Sequence, residues 1–230
     1  MCNGLEYIWS HGGDVLDPND PNEVVIDSPG SVAGLATWRS MIESGASPQA
    51  TLQYKEDESH STFLNNNAVF IRNWPYMYAL AGTESYPDVK KEQVGIAPLP
   101  LDRGNESYST LGGWSFLINA ASDKQDQAWE FIEFMTAPEQ LIFNAKQGSK
   151  LPTRQSLYEE PEVTDNVPVA RLGKEAIIQN SRPRPVTPLY SDVSLELSSV
   201  FNNVLSGNTS PKAGIKTLQE DLQNIVDQAS

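Results

Sequence analysis

Two tryptophans, two arginines and a pair of glycines carry the chemistry that this sequence can perform. The stretch Thr110-Leu111-Gly112-Gly113-Trp114-Ser115-Phe116-Leu117-Ile118-Asn119 removes the side chain at two positions and sets an indole directly after them. Backbone without a Cβ can approach another group closely. Trp74 follows the apolar run Ala68-Val-Phe-Ile-Arg72, and Tyr190 follows the proline-broken run Ser181 to Pro188 that carries Arg182 and Arg184. An indole presents a flat apolar face and a guanidinium a planar set of donors. A sugar ring, with C–H bonds on one face and hydroxyls around its rim, matches both. The competing reading is that the glycines form a bulge and the aromatics fill a core. Core packing claims any one of these residues more readily than all of them together.

Other chemistries lack their residues. There is no glycine-rich phosphate loop, no nucleophile elbow and no His-x-x-x-His or Cys-x-x-Cys spacing. His11 and His60 lie in polar contexts, which suits solvated or capping histidines. Asp57-Glu58, Glu159-Glu160 and Glu220-Asp221 are adjacent acids, whereas glycoside hydrolysis needs two opposed carboxyl groups. The runs Asp14 to Asp20 and Asp123 to Asp126 lack the spacing and closing glutamate of a dedicated calcium loop. The expectation is a binding protein with no catalytic residue, no metal ligand and no cofactor.

The elements that must position the aromatic and basic residues follow from periodicity. A helix ends at Gly12 or Gly13, and Glu23 to Asp27 is a short β-type run. Ser28-Pro29 or Ser31 caps a helix through Leu35 and Ile42 that stops at Gly45. A helical pattern covers Thr51 to Asn66. Ala68 to Arg72, Val94 to Pro100 and Trp114 to Ile118 read as strands, which puts Trp74 on a strand-to-helix corner where ligands collect in open α/β sheets. Ser122-Asp123 starts a helix that is apolar nearly all round, and Thr136-Ala-Pro-Glu139 is a capping-box pattern that restarts the chain as a second. A further helix spans Pro168 to Gln179. Two amphipathic helices close the chain, with Val193, Leu197, Val200, Phe201 and Val204 on one and Ile215, Leu218, Leu222 and Ile225 on the other. Strands alternating with a majority of helix give an α/β class with a central mixed sheet of about four or five strands.

With 230 residues and 39% hydrophobic content the chain can build a sizeable core. Thirty acidic against 16 basic residues, a net charge of −14, disfavour nucleic acid and anionic membrane as partners and suit a neutral or cationic small ligand. No apolar run reaches the roughly 18 residues of a membrane span, and no export-type segment opens the chain. The single cysteine, Cys2, rules out an internal disulfide framework and reads as a small, partly buried residue.

In order, Arg72-Asn-Trp-Pro-Tyr76, Ile96-Ala-Pro-Leu-Pro100, Leu111-Gly-Gly-Trp-Ser115, Ala128-Trp-Glu-Phe-Ile-Glu-Phe-Met-Thr-Ala-Pro-Glu-Gln140, Leu151-Pro-Thr-Arg154 and Arg182-Pro-Arg-Pro185 form a set. The set resembles the extracellular solute-binding proteins of ABC sugar importers, in the maltose/trehalose-binding branch, from about Gly4 onward. The resemblance implies one lobe of a type II periplasmic-binding-protein-like clam-shell, non-enzymatic and extracytoplasmic. Such a receptor captures a sugar and presents it to permease subunits, and touches membrane only through the permease or a lipid anchor. By position, Trp74 resembles a sugar-stacking tryptophan, Gly113 and Trp114 a backbone-plus-indole contact, Arg182 a hydroxyl-binding arginine and Tyr190 an aromatic near the cleft. The sequence does not decide between Arg182 and Arg184.

The family's first lobe, with its export signal, anchor cysteine and further sugar contacts, has no counterpart in these 230 residues. The resemblance implies that residues 1–121 and 161–230 form the C-terminal lobe, while 122–160 belong to the other lobe in a full-length relative. Trp129, Phe131, Phe134 and Phe143 are then expected to form an exposed apolar patch or to lie under a partner chain. A carbohydrate-active enzyme or accessory sugar-binding domain, and a purely structural interaction module, are the rival readings. The particular sugar is not written in the residues.

Overall fold

The computed structural model describes residues 1–102 and 104–229. In chain order its elements are α1 (Cys2–Trp9), β1 (Leu16–Asp17), β2 (Asp20–Val24), α2 (Pro29–Glu43), α3 (Glu56–Leu64), α4 (Met77–Leu80), β3 (Ser109–Thr110), α5 (Gln125–Met135), α6 (Pro138–Gly148), α7 (Pro161–Thr164), α8 (Lys174–Gln179), β4 (Ser181–Arg182), α9 (Tyr190–Leu205) and α10 (Pro211–Ala229). They gather into two units. The first comprises Met1–Tyr54, Pro98–Gly112 and Asn180–Ser230, the second Lys55–Ala97 and Gly113–Gln179.

The first unit is built by two helix pairs around one core. Leu5, Ile8 and Trp9 of α1 and Leu35 of α2 meet Val193, Leu197, Val200, Phe201 and Val204 of α9 and Ile215, Leu218, Leu222 and Val226 of α10. The stripes on α9 and α10 are those the 3.6-residue period predicts, except that Val226 is buried and Ile225 only partly so. The Ser28 hydroxyl caps α2 by accepting from the Ser31 N–H at 3.1 Å, and Pro29 takes the first turn. α1 and α2 cross almost in backbone contact. A Cβ at Gly34 would lie 2.4 Å from the Tyr7 carbonyl oxygen, and one at Gly4 would lie 2.5 Å from the Phe201 ring. β1 and β2 form an antiparallel hairpin, and β2 starts at Asp20, three residues before the predicted run. β3 and β4 pair in parallel, Ser109 with Ser181 and Thr110 with Arg182.

The second unit has two smaller cores. Leu64, Met77, Ala81 and Val89 form one; Ala145, Leu157, Val163, Val167 and Ala170 form the other. Here the predicted sheet does not appear. Among the described residues the strands make only two two-stranded pairs, both in the first unit. The runs 68–72, 94–100 and 114–118 form no strand, and Val69 and Phe70 are 82% and 90% exposed. Their composition suits a pleated, half-buried surface, but a strand exists only where a neighbour supplies the ladder, and none does here. The helix predicted over 51–66 splits into a 3₁₀ turn at Gln49–Gln53 and α3, and that over 168–179 into a 3₁₀ turn at Pro168–Leu172 and α8. The capping box at Thr136 is not made either. The Thr136 hydroxyl donates back to the Ile132 carbonyl at 2.9 Å, and α6 begins at Pro138 with Ala137 as its cap. Trp129, Phe131, Phe134 and Phe143 are 54–58% exposed, the first of the two arrangements that the resemblance implies for them.

Candidate functional site

Arg182 is held by both its backbone and its side chain. The Leu111 N–H donates to the Arg182 carbonyl at 2.7 Å, and the Ser109 N–H donates to the Asn180 carbonyl at 2.7 Å. The arginine therefore sits beside the first half of the Thr110-Leu111-Gly112-Gly113 stretch, from which it is about 70 residues distant in sequence. Beneath this ladder, Glu6 of α1, a buried carboxylate, accepts the Thr110 N–H at 2.9 Å, and the Thr110 hydroxyl donates to the Cys2 carbonyl at 3.2 Å. Those bonds satisfy the backbone where the short strand leaves its neighbour.

The Arg182 guanidinium makes an ion pair with Asp14 and lies against two rings, its Cζ 5.1 Å from the Trp9 centroid and 5.3 Å from that of Tyr108. Cation and quadrupole attract in this geometry. Asp14 is itself fixed, because its Oδ1 accepts the Trp9 indole N–H at 3.1 Å and the Val15 N–H at 2.8 Å. The Tyr108 hydroxyl donates to Glu106, and that bond, with partial burial, raises its pKa above the ordinary 10.0. Two residues further on, Arg184 stacks on Tyr190 at 5.3 Å, and the Tyr190 hydroxyl contacts the Met1 sulfur at 3.9 Å. Trp9, Asp14 and Tyr108 surround Arg182, and sequence reasoning missed all three. Asp14 reads only as the first acid of a polar loop, and its distance of 168 residues from Arg182 leaves no local signal.

In the second unit Trp74 is half-buried, with the Arg72 guanidinium 4.5 Å above its ring. The Trp74 N–H is bonded to Asn73 Oδ1 at 2.7 Å, and Asn73 Nδ2 is a buried donor with no partner among the described residues. Gly113 is open, since a Cβ there would meet nothing within 4 Å, and Trp114 is 101% exposed. The indole of Trp114 is thus not core filling. Phe116, two residues on, packs edge-to-face on Phe131 of α5 at 6.0 Å.

The histidines depart from the solvated or capping role expected of them. His60 is buried, with Nδ1 3.3 Å from the Tyr76 hydroxyl and Nε2 3.1 Å from the Tyr86 hydroxyl, which also meets the Ser61 hydroxyl at 3.0 Å. Burial, with help from Glu56, pushes the Tyr76 phenol well above its ordinary range. His11 spans the Tyr7 carbonyl and the Thr37 hydroxyl, each at 3.0 Å. Both rings are structural braces. Among the described residues no three His, Cys, Asp or Glu side chains gather as a metal site, and no helix is long and apolar enough to cross a membrane.

Comparison with known proteins gives this arrangement a context. Residues 4–170 match the model of a family described as bacterial extracellular solute-binding protein. A probable ABC transporter-binding protein of Deinococcus radiodurans is 32% identical over 228 residues, covering 97% of this chain and 53% of that relative. The maltose-bound structure of T. maritima MalE3 is 33% identical with a TM-score of 0.88, over 97% of this chain and 56% of that one. At 22% identity, where likeness speaks for the fold alone, a solute-binding protein of Thermotoga lettingae bound to α-D-tagatose aligns with a TM-score of 0.84 over 98% of this chain and 56% of its own. The helix-rich α/β fold is that of solute-binding protein lobes, and the chain spans about half the length of the relatives it matches.

Proposed function

Because this chain belongs to the bacterial extracellular solute-binding protein family, we propose that it is part of the receptor of an ABC importer, taking a mono- or oligosaccharide of the maltose or trehalose type outside the cytoplasm and delivering it to permease subunits. Trp114 stacks on a pyranose face and the Gly113 backbone reaches its rim. In the second unit Trp74 offers a further indole; in the first, taken by itself, Arg182 is the proposed hydroxyl donor and Tyr190, with Arg184 against its ring, a proposed aromatic contact. The observation that carries this reading is the fully exposed indole of Trp114 beside a glycine with open space around it, an arrangement that stacking uses and core packing does not. Segment 122–160 we assign to the opposite lobe of a full-length clam-shell, with 1–121 and 161–230 as the C-terminal lobe. The maltose bound to the T. maritima neighbour supports the choice of sugar.

No step of bond cleavage belongs to this reading. Hydrolysis requires two carboxyl groups about 5–9.5 Å apart across the sugar site, and turnover of a chromogenic glycoside would overturn a binding-only role. The direct test is titration of the 230-residue chain with maltose and with trehalose, followed by the tryptophan indole N–H resonances. One stacked ring and a few hydrogen bonds correspond to a dissociation constant on the order of 1 mM. Gly113→Ala and Trp114→Ala touch no packed neighbour and should leave the melting temperature unchanged while weakening the sugar-induced shifts at least about threefold, as loss of roughly 1 kcal/mol of stacking implies. Wild-type resonances that stay unmoved through tens of millimolar sugar would refute the assignment.

A further inference from the structure

Arg182 and Asp14 are each only about a quarter exposed, at 28% and 24% of the side chain, so little water or salt screens the pair. An arginine in such a setting with its charge uncovered is a receptor for carboxylate or phosphate, which it grips with two parallel N–H bonds. Here the carboxylate is supplied by the chain itself. Asp14 cannot swing away without giving up the Trp9 indole N–H and the Val15 N–H, and the guanidinium cannot follow a ligand without leaving the faces of Trp9 and Tyr108. Glu106, bonded to the Tyr108 hydroxyl, adds a second negative group on the same side. Arg184, two residues on in sequence, lies over the Tyr190 ring.

We propose that Asp14 is a specificity-determining residue that makes the site select uncharged polyhydroxylated ligands and reject their acidic counterparts, by cancelling the charge of Arg182 while leaving its remaining N–H groups as hydroxyl donors. This rests on the reading of Arg182 as a ligand contact. Asp14 acts through Arg182 and is a positioning residue; Trp9 and Val15 in turn position Asp14. A ligand carboxylate a few ångströms from Asp14 at the effective dielectric of a half-buried site is disfavoured by on the order of tenfold to a hundredfold.

The experiment uses the 230-residue chain and three probes of known charge: maltose, its oxidised relative maltobionate, and inorganic phosphate, each followed by the Trp9 indole N–H resonance, whose acceptor is Asp14. Wild type should favour maltose over maltobionate by at least tenfold and show no saturable response to phosphate. Asp14→Asn should cut that preference at least tenfold and create a phosphate response, Asp14→Glu should restore rejection of the acid, and Asp14→Asn with Arg182→Gln should lose the phosphate response again. A wild type that binds maltobionate or phosphate as well as maltose overturns the proposal without any variant, and so does an Asp14→Asn chain with an unchanged preference. If no form responds to maltose but phosphate binds Asp14→Asn and not wild type, charge cancellation stands and the sugar reading of Arg182 falls.

Discussion

Replacing Gly34 by alanine sets two effects of known size against each other. Alanine in a helix interior is favoured over glycine by about 1 kcal/mol. Against that, the new Cβ would stand 2.4 Å from the Tyr7 carbonyl oxygen and 2.8 Å from both the Tyr7 carbonyl carbon and the Ile8 Cα. Those are backbone atoms of α1, not the free end of a side chain, so relief requires the whole of α1 to retreat by most of an ångström. That helix buries Leu5, Ile8 and Trp9 at 0–2% exposure, and forced overpacking of this kind costs up to about 3 kcal/mol. The clash wins, leaving a net loss of about 2 kcal/mol, or roughly 8 °C in melting temperature at about 4 °C per kcal/mol for a domain of this size. Since α1 also carries Glu6, which seats Thr110, and Trp9, which faces Arg182, the indole N–H resonance of Trp9 should move as well. Thermal and urea unfolding followed by circular dichroism measure the loss. A Gly34→Ala chain that melts at or above the wild-type temperature would mean that α1 and α2 separate freely, and the account of this crossing would be wrong.

Acid should loosen the start of α3. Hydrogen bonds from its own backbone N–H and from that of Lys55, the latter at 2.9 Å, hold the Glu58 carboxyl below its ordinary 4.5. A folded-state pKa that is lowered contributes stability in full above the unfolded value and loses it as pH falls through the lowered one. Acid melts of Glu58→Gln should therefore change less below pH 4.5 than those of wild type, and equal slopes would count against the bond. The half-exposed Trp129, Phe131, Phe134 and Phe143 should bind the dye ANS. Phe134→Ser with Phe143→Ser should lower that fluorescence while stability changes by no more than about 1 kcal/mol for the two; a large fall in stability would show that these rings are packed after all.

Features governed by neighbours three or four residues away were legible in the sequence. The Ser28 cap, the stripes of α9 and α10 and the stop at Gly45 each follow from local backbone and burial rules, whereas the exposure of the α5 and α6 aromatics was expected from the family resemblance and not from their own pattern. Features that need a partner far along the chain were not. The strand character of 68–72 and 114–118 was read correctly as composition and wrongly as structure, because a ladder has two sides and one residue run describes only one. His60 looked solvated among Glu58, Ser59 and Ser61, yet the groups that bury and bond it, Tyr76 and Tyr86, lie 16 and 26 residues away. The candidate site divides the same way. Its exposed aromatics announce themselves by glycine and strand-like context, whereas Asp14, which fixes the orientation of Arg182, is visible only once β3 and β4 have brought 109–110 against 181–182.

The three-piece composition of the first unit bears on how the chain matures. Leu5, Ile8 and Leu35 pack against α9 and α10 as well as against each other, so residues 1–54 are synthesised before the partners that complete their core. At bacterial elongation rates, the stretch between Tyr54 and Asn180 takes about 6–25 s to synthesise. Throughout that interval α1 and α2 wait for α9 and α10, closed to native assembly, a delay written into the order of the segments and not into the strength of any contact.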